Sequence, residues 1–255
     1  MSNLFSIEGK VALVTGGSRG IGLMIARAYV ENGVKVYISS RKAEVCDAVA
    51  AELSQSGTCI SLPADLSTDE GRKSLVASLK EKEDSLDILV NNAGAVWAAP
   101  FKDFPDNGYD KTMDINVRAV FLLTRDLLPL LEKNASTINP ARIINIGSID
   151  GLRVPEVDNF PYAASKAAVH QLTRVLAVKL GRKGITVNAI APGPFESKMT
   201  EWMLDNFKAQ IEAQCPLKRI GSPEDMAGMA IYLASPAGAY VNGTIIPLDG
   251  GIHIS

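Results

Sequence analysis

The sequence predicts an α/β protein with a single domain, in which helices cover both faces of a doubly wound, parallel, seven-stranded sheet. Three observations predict this fold class. Short apolar segments rich in β-branched residues alternate with longer segments of helical periodicity. Most of the short segments are apolar nearly throughout, as strands covered on both faces must be. No Pro/Gly/Ser linker, composition shift or internal repeat divides the 255 residues.

The predicted elements follow one another along the whole chain. The strands are expected at residues 11–14, 34–38, 59–62, 86–90, 142–146, 186–190 and 244–248. Helices are expected between them, near residues 20–32, 43–55, 67–82, 107–132, 161–182 and 223–235. Because parallel strands need a crossover connection, seven strands with helical crossovers imply one doubly wound sheet.

Two regions break this rhythm. One is the polar loop 133–140, and the other is an extra helical stretch at about 197–213. Apolar residues recur at helical spacing in the second region, namely Met199, Trp202, Met203, Leu204, Phe207 and Ile211. They fit either a helix packed on the body of the protein or a mobile lid over an apolar substrate. We therefore expect one domain, 1–255, with a lid insertion at about 195–215.

Composition argues against several function classes. The chain carries a net charge of −2 and lacks a dense Lys/Arg run, so nucleic acid is not an expected partner. Its three cysteines are widely spaced and without metal-type spacing, which predicts a reducing compartment and no metal site. The N-terminus does not resemble a signal peptide and no apolar run reaches membrane-spanning length. We expect a soluble, cytoplasmic protein that does not associate with membranes.

A glycine-rich turn follows the first predicted strand and precedes a helix. Its sequence is Thr15-Gly16-Gly17-Ser18-Arg19-Gly20-Ile21-Gly22. Such a turn lets the backbone approach a pyrophosphate, which the helix N-terminus then faces. The alternative is a plain strand–helix connection that needs positive φ. The turn predicts a dinucleotide site, with contacts from Gly16, Ser18, Arg19, Gly20, Ile21 and Gly22.

The end of the second strand indicates which dinucleotide is bound. Sites that select NAD place Asp or Glu there to bind the ribose 2′-hydroxyl. This chain has Ser39-Ser40-Arg41-Lys42 instead. The guanidinium groups of Arg19 and Arg41 could converge on a 2′-phosphate, so the expected cofactor is NADP(H). The alternative is two solvated arginines.

Two further segments are expected to line the cofactor. Asp65 and Leu66 follow the third strand, where Asp65 could bind the adenine amino group or simply cap a helix. The small residues of Asn92-Ala93-Gly94, after the fourth strand, would let the backbone pass close to the cofactor.

A candidate catalytic pair lies four residues apart in a helical segment. Tyr162 and Lys166 would share one helix face, although the same spacing also fits a surface helix with a snorkelling lysine. A tyrosine with a pKa near 10 is a poor base, and a nearby ammonium and an oxidised nicotinamide would lower that pKa.

Ser148, after the fifth strand, could hold the substrate oxygen. Asn116 could bind a backbone carbonyl and a water that relays protons from Lys166. His170 and His253 have no motif around them and are expected to be non-catalytic.

Together these residues resemble the short-chain dehydrogenase/reductase family. The resemblance covers almost the whole chain and rests on the glycine turn, Asp65, Asn91-Asn92-Ala93-Gly94, Asn116, Ser148, Tyr162-x-x-x-Lys166, Pro192-Gly193 and Asp249-Gly250-Gly251. It implies a Rossmann fold with strand order 3-2-1-4-5-6-7. It also implies a catalytic tetrad of Asn116, Ser148, Tyr162 and Lys166, in which Tyr162 and Lys166 also contact the cofactor. Further cofactor contacts would come from Pro192, Gly193, Phe195 and Ser197. A homotetramer or dimer built on the helices at 107–132 and 161–182 is implied as well.

Within the family the chain most resembles the NADPH-dependent 3-oxoacyl reductases of the rhamnolipid-associated type, through Pro192-Gly193-Pro194-Phe195-Glu196-Ser197-Lys198-Met199-Thr200. Three departures are notable: Ser197 replaces a threonine, the 133–140 loop is long, and Tyr162 follows Ser148 by 14 residues, one more than usual. Val178 stands where carrier-protein-dependent reductases place a basic residue. The expected activity is reduction of a 3-oxoacyl thioester with an apolar acyl chain. The alternatives are a secondary-alcohol, sugar or steroid dehydrogenase and a non-catalytic NADP-binding regulator.

Overall fold

A computed structural model describes residues 3–255. Seven parallel strands form one sheet in the order β3-β2-β1-β4-β5-β6-β7, which confirms the expected order. The strands are β1 (Val11–Thr15), β2 (Lys35–Ser39), β3 (Cys59–Ser61), β4 (Ile88–Asn91), β5 (Ala141–Ile146), β6 (Ile185–Pro192) and β7 (Ile245–Leu248). They differ from the predicted segments by only one or two residues at their ends, where strand boundaries are least defined.

Helices connect these strands. They are α1 (Gly20–Glu31), α2 (Ala43–Leu53), α3 (Asp69–Lys80), α4 (Asp106–Met113), α5 (Ala119–Glu132), α6 (Phe160–Gly181), α7 (Glu201–Gln214) and α8 (Pro223–Ala234). The helical segment expected near 107–132 is confirmed, since the chain is helical from Asp106 to Glu132, but it is not an α-helix throughout. A π-helical turn, Asp114–Arg118, separates α4 from α5 and widens the helix at Asn116.

The core lies on both faces of the sheet because alternate strand residues point to opposite sides. One apolar cluster includes Ala12 and Val14 of β1 and packs against α1, α2 and α8. The other includes Leu13 of β1 and packs against α3, α5 and α6. β1 lies between β2 and β4, so the winding direction reverses beside β1. Doubly wound sheets bind ligands at the carboxyl ends of the strands at such a switch point.

Within residues 3–255, no helix combines the length and the apolar character needed to cross a membrane.

Candidate active site

The turn after β1 is shaped for close approach of a ligand to the backbone. Gly16 has a φ of +66°, and a Cβ on Gly22 would overlap the carbonyl oxygen of Gly16. Within residues 3–255 no side chain caps the first turn of α1. The amide groups of that turn therefore face the ligand side with their positive dipole end, as a pyrophosphate requires. A nicotinamide dinucleotide fits this turn.

The amide of Asn92 fixes the turn to β4. Its Nδ2 donates to the carbonyl oxygens of Thr15 at 2.8 Å and Gly16 at 3.2 Å. The backbone amides of Asn92 and Ala93 both donate to the Thr15 hydroxyl, at 2.9 and 3.0 Å. The Asn92-Ala93 segment thus holds the turn in shape. Thr15, which the sequence analysis did not place among the site residues, joins the two strand ends across the switch point.

Arg19, in the turn after β1, and Arg41, just after β2, are both exposed at the carboxyl ends of the strands. Arg41 also faces Asp65. Burial raises the pKa of Asp65, but hydrogen bonds from the Ser67 hydroxyl and amide outweigh it and hold the pKa below its usual value, with Arg41 adding to the lowering. Asp65 is not the cap of α3, because Thr68 accepts from Gly71 N at 3.0 Å. The Leu66 side chain is buried in the core, so only its backbone can face a cofactor.

Asn116 lies in the π-helical turn and is fixed by backbone groups of the segment after β4. Its Oδ1 accepts from Ala95 N at 2.8 Å, and its Nδ2 donates to Ala95 O at 2.9 Å. Nδ2 also donates to the Ser165 hydroxyl at 2.9 Å, and this hydroxyl donates to Tyr162 O at 2.7 Å. The expectation that Asn116 binds a backbone carbonyl is confirmed. Ser165 links it to the helix that carries the tyrosine, a contact the sequence analysis missed although Ser165 precedes Lys166.

Tyr162, Lys166 and Ser148 meet at the carboxyl end of β5. The Lys166 Nζ donates to Ile146 O at 2.8 Å and lies 5.5 Å from the centroid of the Tyr162 ring. Ser148 leads directly into a 3-10 turn, Ile149–Gly151, and its Oγ accepts from Asp150 N at 3.1 Å. Ser148, Tyr162 and Lys166 therefore lie together, with Asn116 near Lys166.

The pKa values in this cluster differ from the expectation. Burial raises the pKa of Tyr162 to about 12, Asp150 adds to the rise, and only the Ser148 hydroxyl lowers it. The predicted lowering by Lys166 is not found among these effects. Burial also lowers the pKa of Lys166 to about 8, against the opposing effect of Asp150. Protein side chains alone keep Tyr162 protonated, which is the form that donates a proton to a developing alkoxide.

Asp150 also contributes to the site, although the sequence analysis did not identify it. Its Oδ2 accepts from Asn159 Nδ2 at 2.9 Å, and its charge acts on both Tyr162 and Lys166. Its position two residues after Ser148 was the only signal in the sequence.

The segment after β6 closes the other side of the turn. Gly193 N donates to Leu248 O at 3.0 Å as the chain leaves Pro192. The Phe195 ring is buried against Gly221, so only the backbone of Phe195 is available to a cofactor. A Cβ on Gly20 would lie 3.0 Å from Ser197 Cβ, so the two segments adjoin. The Ser197 hydroxyl pairs with Thr200 Oγ1 at 2.9 Å.

α7 divides its apolar residues between two faces, so the single stripe expected from the sequence was wrong. Leu204 is buried and Ile211 packs against Ile149, Cys215 and Ile252. In contrast, Trp202 is 71 % exposed and makes an edge-to-face pair with Phe207, at 5.7 Å between ring centroids. One face of α7 therefore packs on the body of the protein and the other stays open, while the mobile lid stays a prediction.

Residues 3–255 bring together no group of three or more His, Cys, Asp or Glu that could hold a metal ion.

A family model, two related proteins and a solved structure match nearly the whole chain. A family model described as Enoyl-(Acyl carrier protein) reductase matches residues 16–253. The chain is 48 % identical to the Rhamnolipids biosynthesis 3-oxoacyl-[acyl-carrier-protein] reductase of Pseudomonas aeruginosa, over 100 % of both chains. It is 34 % identical to the Gluconate 5-dehydrogenase of Gluconobacter oxydans, covering 99 % of this chain and 98 % of that protein. The solved Pseudomonas aeruginosa RhlG/NADP active-site complex superposes with a TM-score of 0.96 at 48 % identity, with 100 % of each chain covered.

Proposed function

Because the chain belongs to the short-chain dehydrogenase/reductase family and is an oxidoreductase, we propose that it reduces a 3-oxoacyl thioester to the 3-hydroxyacyl form with NADPH. One observation carries the proposal: Ser148, Tyr162 and Lys166 meet beside a glycine turn built for a dinucleotide. The relative with 48 % identity along its whole length, named a 3-oxoacyl reductase, supports this substrate class.

We propose a role for each residue in the site. The Ser148 hydroxyl holds the substrate oxygen, and the protonated Tyr162 donates its proton to that oxygen as charge develops there. Lys166 holds the ribose and orients the tyrosine, and Asn116 fixes the backbone at Ala95 behind it. Bound NADPH supplies the hydride.

The cofactor contacts proposed from the sequence fall into three groups. Gly16, Ser18, Gly20, Ile21 and Gly22 would hold the pyrophosphate. Arg19 and Arg41 would hold the 2′-phosphate, which the exposure of both guanidinium groups at this edge supports. The last group would contact the rest of the dinucleotide, namely Asp65, Leu66, Asn92, Ala93, Gly94, Pro192, Gly193, Phe195 and Ser197.

We further propose that the chain acts in the cytoplasm as a homo-oligomer and that segment 195–215 covers an apolar acyl chain. The exposed apolar side chains of Phe121 on α5 and of Val175 and Val178 on α6 support an interface on these helices. The open face of α7, with Trp202 and Phe207, supports the lid.

The proposal is tested by following NADPH oxidation at 340 nm with a panel of ketones and 3-oxoacyl thioesters. We expect turnover with 3-oxoacyl thioesters and much less with NADH in place of NADPH. A lack of turnover with every thioester and ketone would exclude the proposed reaction.

A second candidate is a sugar or secondary-alcohol dehydrogenase. The 34 % identity to a gluconate 5-dehydrogenase over nearly the whole chain favours it. Turnover of 5-ketogluconate but of no 3-oxoacyl thioester in the same panel would select it.

A further inference from the structure

Three phenylalanines form an exposed aromatic cluster beside the active site, which we call the aromatic rim: Phe101, Phe104 and Phe160. The Phe160 ring lies edge-to-face against both others, at centroid distances of 5.3 Å to Phe101 and 6.2 Å to Phe104. Despite these contacts, Phe101 is 79 % exposed and Phe160 is 42 % exposed. The rim therefore keeps much of its apolar surface in water.

Two features of the chain place the rim near the proposed catalytic residues. Phe160 is the first residue of α6, two positions before Tyr162. The segment that carries Phe101 and Phe104 begins after Ala95, the residue held by Asn116. A backbone bond from Ala99 N to Asp158 O, at 3.1 Å, joins this segment to the loop that leads from Ser148 to Tyr162. The rim therefore lies at the start of the helix that carries Tyr162 and beside the loop that leads to it.

The same loop adds further exposed apolar surface. Leu152, Val154 and Val157 are all exposed, and none belongs to an apolar core cluster of the described residues. Folding of residues 3–255 therefore gains little from these side chains. Exposed apolar side chains gathered on neighbouring segments indicate a binding site.

We propose that the aromatic rim binds the alkyl tail of the acyl chain and makes the enzyme selective for long chains, with Phe101 as the residue that sets the preference. This inference rests on the proposed function, since a 3-oxoacyl chain held at C3 by Ser148 and Tyr162 has to extend its remaining carbons away from them. Flat aromatic faces and edges bind methylene groups without a directional requirement, so one rim serves tails of several lengths.

The experiment measures tail binding directly, without turnover. Butanoyl and dodecanoyl thioesters of N-acetylcysteamine, which lack the 3-oxo group, are titrated into the protein with NADP⁺ by calorimetry. Each methylene that rests on the rim should improve the affinity about fourfold, which corresponds to about 0.8 kcal/mol. The wild type should therefore bind the dodecanoyl thioester much more tightly than the butanoyl one.

Phe101→Ala should weaken dodecanoyl binding about tenfold and lower the ratio of dodecanoyl to butanoyl affinity by nearly as much. Its exposure makes this variant safe for folding, which circular dichroism and the Tm would verify. Ile138→Ala is the matched control, because Ile138 is also apolar and 89 % exposed but precedes β5, at the amino-terminal ends of the strands and opposite the site. It should leave both affinities unchanged.

Three results would overturn the inference: equal affinity of the wild type for both thioesters, an unchanged ratio in Phe101→Ala, or equal weakening by Ile138→Ala. If the unchanged ratio comes with a changed sedimentation coefficient in Phe101→Ala, the rim is assigned to a second copy of the chain instead. If tail binding follows the expectation but no 3-oxoacyl thioester turns over, the proposed reaction fails while the rim stands.

Discussion

The histidine one turn beyond Lys166 should make the stability of the protein depend on pH. His170 is 2 % exposed, and neither ring nitrogen has a hydrogen-bond partner among residues 3–255. Its ring fills the space that side chains at Gly147 and Gly151 would otherwise occupy, directly beneath the turn that carries Ser148. Burial lowers the pKa of His170 to about 4, Lys166 and Arg174 lower it further, and only the Gly151 backbone raises it.

The size of the effect follows from the two pKa values. An unfolded chain binds a proton at a pKa of about 6.5, whereas the folded chain holds His170 neutral down to about 4. The stabilisation by neutral His170 is therefore fully present above pH 6.5 and is lost as the pH falls toward 4. The full difference is about 3.4 kcal/mol, of which about 2 kcal/mol should be lost between pH 7.5 and pH 5. Free carboxylates titrate mainly below this window.

The assay is urea unfolding of the wild type and His170→Gln at pH 7.5, 6.5 and 5.0, at one protein concentration. Glutamine is close to histidine in size and does not titrate. The free energy of unfolding of the wild type should fall by about 2 kcal/mol more than that of the variant over this range. His253→Gln is the control. Its free energy of unfolding should still show the loss of about 2 kcal/mol that is due to His170. Parallel pH dependences for the wild type and His170→Gln would refute the assignment of a neutral, buried imidazole.

Three further predictions concern the site itself. Tyr162→Phe should lower kcat at least about a hundredfold with an unchanged Tm, because it removes the proton donor; a retained kcat would contradict the proposed role. Arg41→Asp should reduce the preference for NADPH over NADH about tenfold or more, whereas the neighbouring Lys42→Asp should change it less; an unchanged ratio of kcat/KM values would contradict the 2′-phosphate contact. Gly22→Ala should abolish NADPH binding in a calorimetric titration, because its Cβ would overlap Gly16 O. Gly228→Ala, on an exposed helix position with no atom within 4 Å of the new Cβ, should leave binding intact; intact binding in both variants would contradict the close-approach argument.

Much of the fold could be predicted because its signals are local. β-branched apolar segments and helical periodicity depend on neighbours within a few residues, so all seven strands were found to within two residues at their ends. The interruption at Asp114–Arg118 was not found, since a π-helical turn leaves the apolar periodicity on either side nearly unchanged. The proposed catalytic side chains were identified by their positions relative to the predicted strands and helices, not by any single motif.

The electrostatics of the site depend on contacts far apart in sequence. The sequence by itself determined the alternation of strands and helices, the glycine turn and the presence of Ser148, Tyr162 and Lys166, since each is written in a short pattern. The strand order was implied by the family resemblance. Only the tertiary structure decided that Ile146 O holds the Lys166 ammonium, that the pKa of Tyr162 rises to about 12, and that His170 is buried beneath Gly147. The physical reason is that desolvation and charge interactions depend on everything within several ångströms in space, and most of those neighbours come from other strands and helices.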